Sequence, residues 1–285
     1  MMKRSVLANM RHVGLSCVLL TAVPMQKVYA DPAETVAASR MELRTKNPRL
    51  EPGIFGDYWW ANRFLSRHRL VEANNGKMVD FVMVGDSIIH FWELKHPASW
   101  EKFSSGRSVL NLGYAGDKTE NLIWRIEHGE LDGYEAKAVI LMIGTNNNTK
   151  PTTDPANVAA GIEKAVSLIR KKQPKAKVVL HPILKKVHEK QPKAKIVLHP
   201  IFPRGAAADS EMHASARARN ERTNGILEAF AKANPDIQWV DFNARFLDAS
   251  GWVPKSLMDD QIHPTDAGYD IWMQALADHD VWDAK

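Results

Sequence analysis

Three short apolar runs, Phe81-Val-Met-Val84, Val109-Leu-Asn-Leu112 and Ala138-Val-Ile-Leu-Met-Ile143, restrict the fold more than any other feature of the chain. Each ends at a glycine (Gly85, Gly113, Gly144), and a stretch with helical spacing follows. Nearly continuous Val, Ile, Leu and Met suit strands buried on both faces, and strands alternating with helices build a parallel sheet covered on both sides. The remaining pieces fit. Trp60, Phe64, Leu65 and Leu70 recur at helical spacing between Asp57 and Asn74, and helices are expected over 119–128, from Asp154-Pro155 to Lys172, over 216–233, and last to about Leu276. Further strands are read at Ile196–Ile201 and Ile237–Phe242. The class is α/β.

One feature does not fit a simple alternation. Lys172–Ile183 (KQPKAKVVLHPI) recurs as Lys190–Ile201 (KQPKAKIVLHPI), an offset of 18 residues with a single difference. Two copies of so short a unit cannot stack into a solenoid. The second copy, Ile196 to Ile201, is expected to hold the sheet position, because the loop Phe202-Pro203-Arg204-Gly205 follows it. The first copy is then an extra strand or an excursion, with Leu184–Lys190 a short basic helix. Five lysines against Glu189 give residues 173–190 a local charge of +4, which reads as a solvated basic patch.

The N-terminus carries Lys3, Arg4 and Arg11, then an apolar stretch from Val13 to Met25, then Val28-Tyr29-Ala30. That order describes a secretory signal peptide over 1–30 cut after Ala30, with 31–56 an extended lead-in and 57–285 the folded domain. The apolar stretch is too short to span a membrane, so a secreted or periplasmic protein is expected. Its removal takes four basic groups from a formal charge of +5, leaving +1, so the pI near 9.2 is no argument for nucleic acid. Cys17, the single cysteine, leaves with it, which excludes disulfides and cysteine metal sites from the mature chain. The eleven histidines show no His-x-x-x-His spacing and no phosphate loop follows a strand, so neither metal nor nucleotide cofactor is expected.

Functional groups of a parallel sheet collect beyond the carboxyl ends of its strands. There lie Ser87 after the first strand, Gly113 after the second, Asn146 after the third, and Asp260 with His263 before the last helix. A serine attacking an ester needs a base for its proton, a carboxylate behind the imidazole, and donors for the oxyanion. Ser87, His263 and a carboxylate from Asp260 or its neighbour Asp259 supply the first set. The N–H groups of Ser87 and Gly113 and the amide of Asn146 supply the second. Asp86 braces the Gly85-Asp86-Ser87 turn or touches substrate. Trp92 and Trp124 are candidate sugar platforms and Arg204 a candidate partner for an acidic substrate group; tryptophans more often serve packing and arginines surface ion pairs.

Gly85-Asp86-Ser87, the run Asn111-Leu-Gly-Tyr-Ala-Gly116, Gly144-Thr-Asn146-Asn147 and Asp260-Gln-Ile-His263-Pro264 resemble, in order and spacing, the four blocks of the SGNH (GDSL-type) hydrolases. The resemblance spans about 57–280. It implies a three-layer α/β/α, flavodoxin-like fold on a five-stranded parallel sheet, with Ser87 as nucleophile, His263 as base, Asp260 as its partner, and Ser87, Gly113 and Asn146 as the oxyanion hole. Trp59-Trp60, Gly113–Asn121 and the Phe202–Gly205 loop are similar to the branch of platelet-activating-factor acetylhydrolase catalytic subunits, whose secreted bacterial members include sugar O-acetylesterases. The expectation is an esterase acting on a small-molecule or glycan O-acyl ester. A lysophospholipase or thioesterase for longer chains, and a non-catalytic carbohydrate-binding protein, are the rivals.

Overall fold

A computed structural model describes residues 59–180, 196–205, 211–233 and 237–279. The elements are α1 (Trp59–Ala73), β1 (Met78–Gly85), α2 (Ser87–Lys95), α3 (Pro97–Ser104), β2 (Val109–Gly113), α4 (Thr119–Glu127), β3 (Glu135–Met142), α5 (Pro155–Lys172), β4 (Lys177–Leu180), β5 (Ile196–Leu198), α6 (Glu211–Lys232), β6 (Ile237–Trp239) and α7 (Asp266–Asp278). All strand pairs are parallel, in the order β2-β1-β3-β4-β5-β6.

Side-chain alternation along the strands divides the core in two. Val82 and Val84 of β1, with Leu110, Leu112, Val139 and Leu141, pack against Leu122 and Ile126 of α4 and Ile162 and Val166 of α5. Phe81 and Met83, one residue out of phase, face the other way with Ile140 and Met142, against Ile89 and Trp92 of α2, Phe103 of α3 and Trp272 of α7. Helix starts follow the local chemistry. Asp154 accepts the Ala156 N–H ahead of Pro155, and Thr265 accepts the Gly268 N–H to open α7.

The sheet has six strands where five plus a possible extra were expected, and the two copies of the repeat divide the work differently from the sequence reading. The first copy, not the second, lies against β3, pairing Lys177–Val179 with Ala138–Ile140. The second copy sits one place further out, between β4 and β6. The reason lies in the register. β4 pairs with β5 at Val179↔Val197 and Leu180↔Leu198, an offset of eighteen residues that equals the repeat. Identical residues are register partners, so the ladder accepts both copies and neither is excluded from the sheet.

The signal peptide, the lead-in and the basic helix at 184–190 lie outside the described residues. No helix among the described residues is long and apolar enough to cross a membrane.

A single copy satisfies both neighbours: β3 uses the Lys177, Val178 and Val179 positions, and β6 uses the Ile196, Val197 and Leu198 positions of the same motif. Deleting residues 173–190 rejoins Lys172 to Gln191 and regenerates the strand with Ile for Val. We expect this variant to fold as a five-stranded sheet with a melting temperature and ester hydrolysis at least equal to the full chain. Loss of cooperative melting would show that both strands are required.

Candidate active site

β1 runs into the site at Gly85, where only glycine fits: an added Cβ would lie 2.0 Å from the Met142 carbonyl oxygen. The next residue, Asp86, donates its N–H to that same oxygen at 3.1 Å and is wholly buried. Its side chain caps α2, accepting the Ile88 N–H at 3.0 Å. The bracing role is therefore the one the geometry supports, and burial rules out contact with substrate. Ser87 is thereby the first residue of α2, with its own N–H unpartnered among the described residues, as the first turn of a helix leaves it.

The second half of the site is the turn before α7. His263 Nε2 lies 2.7 Å from Ser87 Oγ, and His263 Nδ1 lies 2.5 Å from Asp260 Oδ2. The other oxygen of Asp260 accepts the N–H groups of Ile262 at 3.0 Å and His263 at 2.8 Å. Partial burial alone would raise the Asp260 carboxyl, but the imidazole contact and these two donors hold it well below the usual carboxylate range. Asp259 points elsewhere, accepting the Asp260 N–H, which decides between the two acids. Gln261, at φ 69°, is the one non-glycine residue with positive φ among the described residues, and this backbone turn brings Asp260 and His263 to face each other. The ring of Phe91, one turn along α2 from Ser87, meets the imidazole edge-on at 4.9 Å.

One of the oxyanion donors read in the sequence is already engaged. The Gly113 N–H is already donated to Asn111 Oδ1 at 3.0 Å, and its carbonyl accepts Arg63 Nε at 2.6 Å, so Gly113 cannot serve. What Gly113 provides is close approach, since a Cβ there would lie 2.4 Å from the backbone nitrogen of His90. Gly116, at φ +74°, has an N–H without a partner among the described residues. The adjacent Asp117 carbonyl accepts Asn146 Nδ2 at 2.9 Å, which leaves the second amide hydrogen of Asn146 available beside the Gly116 turn.

Behind these donors lies a buried ion network. Arg125, wholly buried, donates Nε to Asp117 Oδ2 at 2.9 Å, Nη1 to Leu112 O and Nη2 to Gly85 O, both at 3.2 Å, and pairs with Glu130. Trp60 Nε1 donates to the other Asp117 oxygen at 2.7 Å. This network was not anticipated, although a signal existed: Arg125 shares the apolar helical face of Leu122 and Ile126, where a charge must be paired. Gly116 and Asp117 carried only a turn signal.

Three of the residues read as substrate contacts are engaged elsewhere in the structure. Trp92 is fully buried, stacked on Tyr269 at 4.7 Å with Nε1 donating to Ser99 Oγ. Trp124 is half-buried, packed against Trp60 and Phe64 and stacked on His128 at 3.9 Å. Arg204 is buried and donates to Thr145 Oγ1 at 3.2 Å rather than facing solvent. Among the described residues no group of three or more His, Cys, Asp or Glu could hold a metal.

Burial pushes the Asp86 carboxyl up to about 7, and the charge of Asp117 adds to this against the Ile88 N–H and Arg204. The folded state then holds a proton that the unfolded chain releases near pH 4, so this contribution is complete below that pH and is lost as pH rises through about 7. Buried His90 and His199, lowered to about 3 and about 4, act in the opposite sense below pH 6.5. The readout is therefore a difference: Asp86→Asn, which keeps the cap acceptor, should gain stability relative to wild type between about pH 4 and 7 in urea titrations. A difference that stays flat with pH would refute the buried, protonated carboxyl.

The sequence profile of the GDSL-like lipase/acylhydrolase family matches residues 83–271. Platelet-activating factor acetylhydrolase IB subunit alpha2 of Gallus gallus is 30% identical over 224 residues, 78% of this chain and 86% of that protein. The human alpha2 subunit is 29% identical over 230 residues, 80% of this chain and 88% of that protein. In fold, a GDSL-like lipase from Bacteroides thetaiotaomicron superposes with a TM-score of 0.53 at 20% identity, covering 78% of this chain and all of that one. With the Gly-Asp-Ser turn at the end of β1 inside the matched region, the chain belongs to the GDSL-like lipase/acylhydrolase family and is a hydrolase of ester bonds.

Proposed function

We propose that this chain is a secreted serine esterase, its hydrolase domain spanning 57–285, that removes short acyl groups, chiefly acetyl, from carbohydrate hydroxyls. The observation that carries the mechanism is the continuous chain of contacts from Asp260 through His263 to Ser87 Oγ. His263 Nε2 takes the serine proton as Oγ attacks the ester carbonyl, and Asp260 supports the imidazolium that forms. The new oxyanion meets the N–H groups of Ser87 and Gly116 and the amide of Asn146, all fixed before substrate arrives. Collapse expels the alcohol with the proton from His263, and a water repeats the cycle on the acyl-enzyme to release the carboxylic acid.

The acyl group is taken from the relatives, which are named as acetylhydrolases. Carbohydrate as the acyl carrier, and export, rest on the sequence: the likeness to the branch with sugar O-acetylesterases, and the basic, apolar and Val28-Tyr-Ala30 order of the N-terminus.

Ser87→Ala should abolish hydrolysis of p-nitrophenyl acetate, and Asn146→Ala should lower kcat by about 100- to 1000-fold. Turnover by Ser87→Ala at the wild-type rate would sink the mechanism. Across acyl nitrophenyl esters the rate should fall steeply beyond about four carbons, with acetylated xylan deacetylated on the same preparation; a rate sustained to long chains would point to a lysophospholipase or thioesterase.

A further inference from the structure

The segment Phe202–Gly205 supplies no group to the reaction of Ser87, His263 and Asp260. Its Arg204 is 3% exposed. Nη1 donates to Thr145 Oγ1 at 3.2 Å and lies 3.4 Å from the Thr145 carbonyl, immediately before Asn146. The next residue, Gly205, donates its N–H to the carbonyl of Gln261 at 3.1 Å, between Asp260 and His263. Gly205 has φ +82°, so a side chain there would be strained, and its Cβ would lie 3.0 Å from that of His213. Two consecutive residues thus grip the loop that carries one oxyanion donor and the turn that carries the base.

The guanidinium also faces the carboxylates of Asp86 and Asp260, with Arg219 the opposing cation. Asp86 in turn faces Asp117 as well as Arg204. Asp86 Oδ2, Arg204 Nε and both amide atoms of Gln261 are buried without hydrogen-bond partners. A buried arginine whose donors go to a neutral hydroxyl and a carbonyl is costly, and here the nearby carboxylates offset that cost through space rather than by direct pairing. Such a charge acts on the protonation of its neighbours more than on packing.

We propose that Arg204 is a positioning residue for hydrolysis, holding the Thr145-Asn146 loop and the Asp260–His263 turn in register around Ser87 while its charge serves Asp86 and Asp260. It touches no reacting atom. This rests on the serine-hydrolase reading, which Ser87→Ala tests separately: turnover by that variant overturns the reading beneath, whereas the outcomes below concern Arg204 alone.

The test is p-nitrophenyl acetate hydrolysis by the full chain, with kcat and KM followed from pH 5 to 9 and melting temperature measured alongside. Arg204→Met should lower kcat by about 10- to 100-fold with KM within about threefold. The acid limb of its kcat profile should move to higher pH, because loss of a cation favours the protonated forms of the two carboxylates it faces. Arg204→Lys, which keeps the charge and loses the fork, should restore the acid limb while kcat stays depressed by about fivefold or more. A folded Arg204→Met with kcat within twofold of wild type, or with a loss uniform across pH, overturns the proposal. Should Arg204→Met fail to fold, Arg204→Lys decides: a depressed kcat on the wild-type acid limb supports the role, and wild-type kcat refutes it.

Discussion

The wholly buried guanidinium of Arg125 is the interaction on which the donor side of the site depends. It binds the carbonyls of Gly85 and Leu112 and the carboxylate of Asp117, so it fixes the ends of β1 and β2 against the Gly116 turn. Burying such a group buys little net stability when its partners are present, but removing one partner costs about 3–5 kcal/mol because the other charge is stranded. Desolvation would lower the Arg125 pKa, yet Glu130 and Asp117 together hold it above its ordinary value, so the group stays charged at every working pH. The network is thus better understood as a device for geometry than for stability. Two carboxylates share one arginine, and the surplus negative charge reaches outward. It raises the Tyr114 hydroxyl, after burial, and adds to the forces that keep Asp86 protonated.

Asp86 consequently lies between opposed fields. On one side stands Asp117 of the Arg125 network; on the other stands Arg204. Its burial follows from Gly85 and Gly113, paired across β1 and β2, each of which lets another backbone come closer than a Cβ would permit. At Gly113 the gain is that α2 settles onto the strand ends, and the free N–H of Ser87 at its first turn arrives beside its own hydroxyl. Close approach, helix start and cap are one construction.

The first three strands and the turns that carry Ser87, Asn146, Asp260 and His263 were legible because they rest on local signals: apolar runs, turn glycines and short spacing. What was not legible depends on occupancy. Gly113 and Gly116 are both turn glycines by sequence, and they separate only when the Asn111 side chain is seen to consume one N–H and leave the other. Trp92 and Arg204 read from the sequence as candidate substrate contacts, but burial sets their roles, and burial of a single side chain is a tertiary property. The Asp259 and Asp260 alternatives are decided by which carboxylate the turn backbone engages, a matter of one φ angle at Gln261.

The repeat poses the opposite problem, since two nearly identical segments carry no local signal that distinguishes them. An added parallel strand moves everything after it outward by about 4.8 Å, the spacing between neighbouring strands. Yet Arg204 and Gly205, which follow the outer copy, still reach Thr145 and Gln261. The chain must therefore return across the width of the inserted strand, leaving the ladder to do so. Side-chain amides take over the lost pairing at that point: Ile201 donates its N–H to Asn224 Oδ1 at 2.8 Å, and its carbonyl accepts Asn224 Nδ2 and Asn243 Nδ2 at 3.0 and 2.8 Å. Backbone groups that leave a ladder inside the protein need such partners. The six-stranded sheet is compatible with the site because this crossing is clamped, with Asn224 of α6 and Asn243 of the turn that follows β6 supplying the groups that hold it.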